Sequence, residues 1–255
     1  MNLPVISIIT VVFNGESLLA GTIESVLSQT YPHIEYIIVD GNSKDNTKSI
    51  ILAYQHRISK WISEPDKGIY DAMSKGLQLA SGDFVWYLKC GDHLFNKDIV
   101  EQMIKNWTPD TDVLYGDAML VNDAREYLGL LSEVTVHRLP KELSWKSMKL
   151  GMNVCHQSFI AKRVLAEPYM TGNLVADLDW VIKILKKSKK TVNTGLVLSE
   201  FLSGGISKQQ HRKSLKDRYM ILRLYFGFFP NLYHHLLIVI RAIKFKFSRS
   251  GKISY

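Results

Sequence analysis

The chain has 255 residues, of which 46% are hydrophobic and 22% are charged, and this composition is typical of a globular protein with one sizeable core. Its two cysteines, Cys90 and Cys155, are too few for a disulfide framework and lack the paired spacing of a metal site, so a reducing compartment is expected. The N-terminal segment has no basic stretch and no small-residue cleavage site, and we interpret it as a first strand and not as a secretory signal.

The positive charge is concentrated at the C-terminus. Residues 207–255 hold eleven of the 32 Lys and Arg residues and one of the 24 acids, which leaves 21 bases and 23 acids for the rest of the chain. A basic body would indicate a nucleic-acid partner, whereas a basic tail beside aromatic residues favours an anionic membrane surface. No nucleic-acid partner is therefore expected.

Strands and helices alternate through the first half of the chain. Apolar, β-branched runs predict the strands, and apolar residues at helical spacing predict the helices. The predicted strands are 5–13, 34–39, 58–62, 83–88 and 112–116, and the predicted helices are 16–29, 45–56, 68–80 and about 97–107. Alternation of this kind indicates an α/β fold with a mainly parallel sheet and helices on both faces.

The second half is less regular. We expect at least one hairpin within 118–136, a short helix within 140–149, strands at 157–161 and 191–198, and a helix at 177–188. Beyond residue 207 the pattern predicts two amphipathic helices divided at Phe229-Pro230, because the uncharged run 224–240 is short for a membrane span and contains a helix breaker. Such helices lie in a membrane interface; the alternative is that they pack on the rest of the chain or on a second subunit.

Polar side chains follow the ends of four predicted strands. They are Asn14, Asp40, the segment 64–66 and Asp92. Ligands of such sheets bind at the carboxyl ends of the strands, and carboxylates there suit a nucleotide with its divalent metal ion. The glycine-rich signatures of dinucleotide-binding and P-loop proteins are absent, as is the Gly-x-Ser-x-Gly elbow. Phosphate groups must therefore be held by a metal ion and by helix termini.

Seven motifs in this order resemble the family 2 glycosyltransferases of the GT-A fold, in particular the branch that makes bacterial surface polysaccharides. They are SIITVVFN (7–14), VDGNSKDNT (39–47), SEPDKGIYDAMSKG (63–76), YLKCGD (87–92), CHQSF (155–159), ADLDW (176–180) and FLSGGIS (201–207). The resemblance covers roughly residues 4–207. It implies a mixed, mainly parallel GT-A catalytic domain at 1–206, followed by a basic, aromatic-rich helical extension at 207–255.

The resemblance also implies a function. An inverting glycosyltransferase of this kind moves a sugar from a nucleotide-diphosphate sugar to a hydroxyl group of a lipid-linked or oligosaccharide acceptor, with Mg²⁺ or Mn²⁺. The resemblance further implies a cytoplasmic enzyme that its C-terminal segment holds on the inner face of the cell membrane. Whether the enzyme forms a homo-oligomer is left open. Five residues match positions in the nucleotide-sugar pocket of the family: Val11, Asn14, Asp40, Asp66 and Gly91.

The metal and the catalytic base are assigned by the same resemblance. Asp92 matches the last acid of the metal-binding turn, although residues 90–92 read Cys-Gly-Asp where many relatives have two adjacent acids. His156 is open between two interpretations, an active-site ligand and a hydrogen-bonded structural histidine. Asp177 matches the general base, and the alignment favours it over Asp179, which stays the alternative.

Two other classes of function stay open. A nucleotidyltransferase would use a similar sheet edge, but it should have a basic phosphate-binding loop after its first strand, and residues 11–16 contain none. A non-catalytic relative that binds a glycan or partner at the membrane is compatible with the single acid of the metal turn. The donor, the acceptor, the preferred metal and the oligomeric state are left open.

Overall fold

The computed structural model of the protein describes residues 3–136, 138–204 and 210–248. The strands are β1 (Ile6–Val12), β2 (Ile34–Asp40), β3 (Lys60–Ser63), β4 (Phe84–Tyr87), β5 (His93–Leu94), β6 (Val113–Val121), β7 (Tyr127–Leu130), β8 (Phe159–Lys162) and β9 (Thr191–Leu202). The α-helices are α1 (Leu19–Leu27), α2 (Thr47–Tyr54), α3 (Ile69–Leu79), α4 (Ile99–Ile104), α5 (Leu131–Val134), α6 (Ala176–Lys187), α7 (His211–Phe226) and α8 (Phe228–Ser248). Short 3₁₀ turns lie at 55–57, 145–150, 156–158 and 163–165.

The strands form one mixed sheet in the order β3-β2-β1-β4-β8-β6-β9-β5, with β7 paired to β6. The first four of these strands are parallel. Strand β8 runs antiparallel between β4 and β6, and β6 pairs in parallel with β9. The parallel half therefore brings the carboxyl ends of β1 to β4 to one edge, which is where the sequence predicts a ligand.

Two hydrophobic cores cover the two faces of the sheet. Alternate side chains of β1 enter different cores, as the pleat of a strand requires. Ile9 and Val11 pack with α3 and α6, whereas Ile8 and Val12 pack with α1, α2 and α4. The predicted α/β arrangement with helices on both faces is confirmed.

The break between the C-terminal helices lies at Gly227 and not at Phe229-Pro230, so this prediction was wrong. Gly227 has φ +81°, a conformation that favours glycine, and its N–H donates to the carbonyl of Arg223 at the end of α7. Pro230 sits in the first turn of α8. The N–H groups of a first helical turn have no intrahelical partner, so proline breaks no hydrogen bond there.

The first of these helices is anchored to the sheet domain. Ile221 and Leu222 of α7 are buried in the core that contains α6. The Tyr225 hydroxyl donates to Asp179 at 2.6 Å, and Asp217 accepts from the N–H of Leu174 at 2.9 Å. The predicted domain boundary at 206/207 lies outside the described residues.

Helix α8 has one covered face and one bare face. Asn231 is fully buried, and Ile238 packs against the core. The opposite face is apolar, and each of its side chains is at least 40% exposed: Phe229, Leu232, Tyr233, Leu236, Val239, Ile240, Ile243 and Phe247. We call this set the α8 stripe. Over the described ranges, no helix has the length and apolarity needed to cross a membrane.

Candidate active site

A cavity of about 820 Å³ opens at the carboxyl edge of the parallel strands. Its wall is built from segments distant in sequence: the end of β1, the start of α3, the turn after β4, the 3₁₀ turn at 156–158 and the first turn of α6. Among the lining residues are Val11, Tyr70, Lys89, Cys90, His156 and Asp177.

Four buried polar atoms in and behind the wall of this cavity have no hydrogen-bond partner among the described residues. They are Asp92 Oδ2, Asn153 Oδ1, His156 Nδ1 and Gln157 Nε2. A buried polar atom without a partner costs about 1–3 kcal/mol, so such atoms are rare and demand an explanation. Gln157 is near enough to Asp92 to lower its pKa, so these two side chains are neighbours that lack a hydrogen bond of good geometry. Asn153 and His156 line the cavity, and a polar ligand there would complete their unpaired atoms.

Asp92 is held by the turn that follows β4. Gly91 has φ +99° and donates its N–H to Thr22 Oγ1, and the N–H of Asp92 donates to the carbonyl of Lys89. Asp92 Oδ1 accepts from the N–H of Leu202 at 2.9 Å. Burial raises the pKa of Asp92 to about 6, against the opposing effect of the positive charge of Lys89. The carboxylate is therefore fixed in position, and its charge is only partly compensated.

His156 combines the two interpretations left open above. Its Nε2 shares a 2.8 Å hydrogen bond with the Tyr169 hydroxyl, and its ring lies 5.4 Å from those of Tyr87 and Trp180. These contacts hold the ring, while Nδ1 is left without a partner among the described residues. Burial lowers the pKa of His156 to about 4, so the imidazole is neutral near pH 7. A neutral imidazole is the form that binds a metal ion.

The structure separates Asp177 from Asp179. Asp177 lines the cavity at the first turn of α6, and its Oδ1 accepts from the N–H of Leu178 at 3.0 Å. Asp179 is 1% exposed and does not line the cavity. Its carboxylate accepts from Tyr225 and forms an ion pair with Lys183 at 2.9 Å. Asp179 therefore joins α6 to α7, and Asp177 is the carboxylate that faces the cavity.

Asp177 lines the cavity, and Asp92 lies behind its wall. The charge of Asp177 tends to raise the pKa of His156, and the charge of Lys89 tends to lower the pKa values of both His156 and Asp92. The charge of Asp92 adds to the effect of burial on the pKa of the Cys155 thiol, which lines the cavity. The two carboxylates predicted from separate motifs thus lie around one group of side chains.

Two of the predicted nucleotide residues are occupied by other contacts. Asp40 is fully buried, and its two carboxylate oxygens accept from the Ser43 and Ser63 hydroxyls. Asn14 has φ +50°, and its Oδ1 accepts from the N–H of Lys44 at 2.9 Å. Neither residue is in the cavity wall, so contact of Asp40 with a nucleobase would require one of the serines to move.

Asp66 and Gly91 also lie beside the cavity and not in its wall. Asp66 Oδ1 accepts from the N–H of Gly68 at 2.8 Å. Its Oδ2 is so close to Gly41 that a Cβ added there would clash with it. Of the five residues assigned to the nucleotide sugar, Val11 is the one that lines the cavity. The assignments of the other four stay predictions.

Lys89 is a cavity residue that the sequence analysis did not identify. Lys89 lines the cavity, and its ammonium group has no hydrogen bond or ion pair within the described part of the chain. It lies inside the motif YLKCGD, so its position next to the metal turn was the available signal. Gln157 was missed in the same way within CHQSF.

Burial disfavours the reactive thiolate form of Cys90 and Cys155. Burial raises the pKa of each to about 12, which leaves both protonated near pH 7. Among the described residues, no group of three or more His, Cys, Asp or Glu side chains is arranged to hold a metal ion alone. A metal ion at Asp92 and His156 would therefore take further ligands from the substrate and from water.

The amino-acid sequence of the chain is similar to those of known glycosyltransferases. The family model described as Glycosyl transferase family 2 matches residues 7–167. An uncharacterized glycosyltransferase of Mycobacterium tuberculosis is 39% identical over 103 residues, which are 40% of this chain and 39% of that protein. The matched region therefore spans about two fifths of that relative. The Escherichia coli UDP-Glc:alpha-D-GlcNAc-diphosphoundecaprenol beta-1,3-glucosyltransferase WfgD is 26% identical over 225 residues, or 85% of each chain.

The fold is shared with solved glycosyltransferases. The mannosyltransferase PcManGT from Pyrobaculum calidifontis, in complex with GDP-Man and Mn²⁺, matches with a TM-score of 0.64 at 15% identity, covering 100% of this chain and 77% of that chain. A likeness at this level of identity shows the fold. The predicted GT-A architecture with a helical C-terminal region is confirmed.

Proposed function

This chain belongs to glycosyl transferase family 2, and we propose that it transfers a sugar, with inversion, from a nucleotide-diphosphate sugar to a hydroxyl group of a lipid-linked or oligosaccharide acceptor in surface polysaccharide synthesis. One observation carries the proposal: Asp177 lines one cavity on the carboxyl edge of the sheet together with Asn153, His156 and Gln157, and each of these three has a buried polar atom without a hydrogen bond among the described residues. Asp92 lies directly behind the same wall. The names of two similar proteins support it, since one acts on a lipid diphosphate and the other binds a nucleotide sugar.

The residues present fit a divalent metal ion. Asp92 Oδ2 and His156 Nδ1 are buried without a hydrogen bond of good geometry among the described residues. A carboxylate oxygen is a ligand of both Mg²⁺ and Mn²⁺, and a neutral imidazole nitrogen suits Mn²⁺ better than Mg²⁺. A divalent ion bound there would stabilise the negative charge that develops on the leaving nucleoside diphosphate. Lys89 would add a second positive charge on the same side of the cavity.

Asp177 is proposed as the general base. A hydroxyl group is a poor nucleophile near neutral pH, so a carboxylate must accept its proton as the hydroxyl attacks the sugar. Asp177 lies in the first turn of α6, where the helix dipole favours a negative charge. With one base and no covalent intermediate, the reaction is a single displacement, which inverts the anomeric carbon.

The test compares two neighbouring carboxylates. Asp177→Asn should lower the rate of sugar transfer by about 10²- to 10⁴-fold while donor binding is retained. Asp179→Asn is the matched control, because it makes the same chemical change two residues away, where the carboxylate contacts Tyr225 and Lys183. This variant should lower the free energy of unfolding and change kcat little. If Asp177→Asn keeps nearly full activity, the assignment of the base is wrong. If the wild type binds donors but transfers none to a panel of acceptors, the non-catalytic alternative is favoured.

The α8 stripe supports peripheral attachment to the inner face of the cell membrane. Its apolar side chains lie opposite the covered face of α8, and basic residues flank it, which is the arrangement of helices that lie in a membrane interface. Leu232→Gln, Leu236→Gln and Ile243→Gln together should abolish flotation with anionic vesicles. A control with Leu52→Gln and Val164→Gln, both exposed on other surfaces, should float like the wild type. Equal flotation of all three proteins would refute the attachment.

A further inference from the structure

A second cavity, of about 790 Å³, adjoins the candidate active site. The two cavities share a wall, since Ser132, Thr135, Leu139 and Asn153 line both. The far side of the second cavity is formed by the 3₁₀ turn at 145–150 and by α8. A molecule that fills both cavities would therefore extend from Asp177 toward α8.

The second cavity is strongly basic. Four cationic residues line it, Arg138, Lys149, Arg241 and Lys244, against one carboxylate in its described lining, Glu133. Arg138, Lys149 and Lys244 are exposed and Arg241 is half-buried, so together they give the cavity a positive potential that favours an anion. We call the four cations the basic cluster.

Arg241 gives this cluster a fixed point. Its Nη2 donates to the carbonyl of Leu150 at 3.3 Å, which ties the guanidinium to the 3₁₀ turn. Burial lowers the pKa of Arg241, a sign that the group has lost part of its water. Guanidinium groups bind phosphate oxygens through paired N–H donors, and lysines add point charges. The cluster therefore suits a phosphate or diphosphate group.

Two members of the basic cluster, Arg241 and Lys244, belong to the same helix as the α8 stripe, and Lys244 lies beside the stripe at helical spacing from Ile240 and Phe247. Arg241 and Lys244 face the second cavity, whereas Ile240, Ile243 and Phe247 point outward and are exposed. An amphiphilic molecule could thus keep its phosphate groups in the cavity and its hydrocarbon chain along the apolar side of α8. A free sugar phosphate would use the first of these features and not the second.

We propose that the second cavity binds the diphosphate group of a lipid-linked acceptor and thereby presents the acceptor sugar to Asp177 in the adjoining cavity. This inference rests on the proposed function and names the class of acceptor for the same site. The shared wall residues supply the path: Asn153, with its unpaired Oδ1, lies where the sugar next to the diphosphate would pass.

The test uses farnesyl diphosphate as a soluble probe, in the presence of a saturating nucleoside diphosphate and Mn²⁺ so that the donor cavity is filled. The variant combines Arg138→Gln, Lys149→Gln and Lys244→Gln, and it leaves Arg241 in place to protect the fold. The control removes the same charge from three exposed lysines outside both cavities, by Lys48→Gln, Lys105→Gln and Lys216→Gln.

We expect the cluster variant to bind farnesyl diphosphate at least tenfold more weakly than the wild type, and the control to stay within twofold. Farnesol should not bind measurably, and inorganic pyrophosphate should compete but bind more weakly than the lipid. The inference is overturned if the cluster variant binds like the wild type, if the control loses as much affinity, or if farnesol binds equally well. Pyrophosphate that binds as tightly as farnesyl diphosphate would refute the lipid part of the inference.

Donor turnover separates this inference from the function on which it rests. Hydrolysis of the nucleotide sugar, without acceptor, depends on the first cavity and should be equal in the wild type, the cluster variant and the control. If none of these three proteins hydrolyses the nucleotide sugar, the proposed function is refuted. Normal turnover with unchanged binding of farnesyl diphosphate in the cluster variant would refute the inference alone.

Discussion

Asp92 should destabilise the metal-free protein, and Asp92→Asn should relieve this. The residue is 3% exposed, and burial raises its pKa from 3.8 to about 6. The unfolded chain releases the proton near pH 3.8, whereas the native state retains it until about pH 6. The penalty is therefore absent below about pH 3.8, grows as the pH rises and is complete above about pH 6. Each pKa unit corresponds to about 1.4 kcal/mol, so the full penalty is about 3 kcal/mol.

The measurement is urea unfolding in EDTA at pH 5 and pH 7.5. Linkage gives a penalty for the wild type of about 1.5 kcal/mol at pH 5 and about 3 kcal/mol at pH 7.5. The asparagine side chain of the variant would keep the acceptor for the Leu202 N–H, but its amide N–H₂ would lie near the N–H₂ donor of Gln157, which adds a cost independent of pH. The stability of the variant relative to the wild type should therefore rise by about 1.5 kcal/mol between the two pH values.

The control is Asp123→Asn, in an exposed turn, whose stability difference from the wild type should be the same at both pH values. Mn²⁺ with a nucleoside diphosphate should raise the free energy of unfolding of the wild type more than that of Asp92→Asn, because a ligand at 100 times its Kd adds about 2.7 kcal/mol of stability. A difference between Asp92→Asn and the wild type that does not change with pH would refute the reasoning about burial.

Three further predictions concern the scaffold and the cations. Burial tends to raise the pKa of Glu35, but hydrogen bonds to its carboxylate, the strongest of them from Lys60, outweigh burial and lower the pKa to about 2. Its stabilisation is present above about pH 4.5 and lost as the pH falls toward 2, so Glu35→Gln should cost about 1–2 kcal/mol in urea at pH 7, after discounting for solvent screening, and less at pH 3. Gly91→Ala should lower the free energy of unfolding by about 1–3 kcal/mol, since φ is +99° and the new Cβ would lie 3.0 Å from a side-chain atom. The control Gly172→Ala, with φ +76° and no atom within 4 Å of the new Cβ, should lower it less. Equal losses for the two variants would contradict the steric argument. Lys89→Met should raise the KM for the donor by about 10- to 100-fold, as expected for the loss of a charge-assisted contact of about 1.5–3 kcal/mol. Lys89→Arg should keep part of the affinity for the donor. An unchanged KM in Lys89→Met would exclude Lys89 from donor binding.

The parallel half of the fold was readable from the sequence because its signals are local. The predicted strand 34–39 and helix 68–80 differ from β2 and α3 by no more than one residue at either end. The β5 strand was missed, since its two residues pair with β9 across more than 100 positions and carry no pattern of their own. The predicted strand 191–198 is shorter than β9, whose last residues pair with β6 beyond irregularities in register. Register is a property of the assembled sheet, which one strand cannot specify.

The site was readable only in part. Asp177 and Asp179 lie in one motif, and the sequence could not separate them because the contact that distinguishes them is tertiary. Tyr225 lies 46 residues after Asp179, and nothing in its own segment shows that its hydroxyl donates to that carboxylate. Lys89 was missed because a lysine at a strand end is usually a solvated side chain, and only the cavity shows otherwise.

Hydrogen-bond saturation separates the carboxylates that hold the fold from those left for a ligand. Both oxygens of Asp40 accept hydrogen bonds, and so do both oxygens of Glu35. Asp179 accepts a hydrogen bond at one oxygen and forms an ion pair with Lys183 at the other.

Asp92 has one oxygen bound, while its Oδ2 has only the nearby Gln157 amide, without a hydrogen bond of good geometry, although Asp92 is nearly as buried as Asp40 and Asp179. A purely structural role would have selected a partner for that oxygen or an apolar side chain in its place, because either is more stable. We therefore propose that a cation arriving with the substrate offsets this cost, and that Asp177, which lines the cavity in front of Asp92, acts as the base.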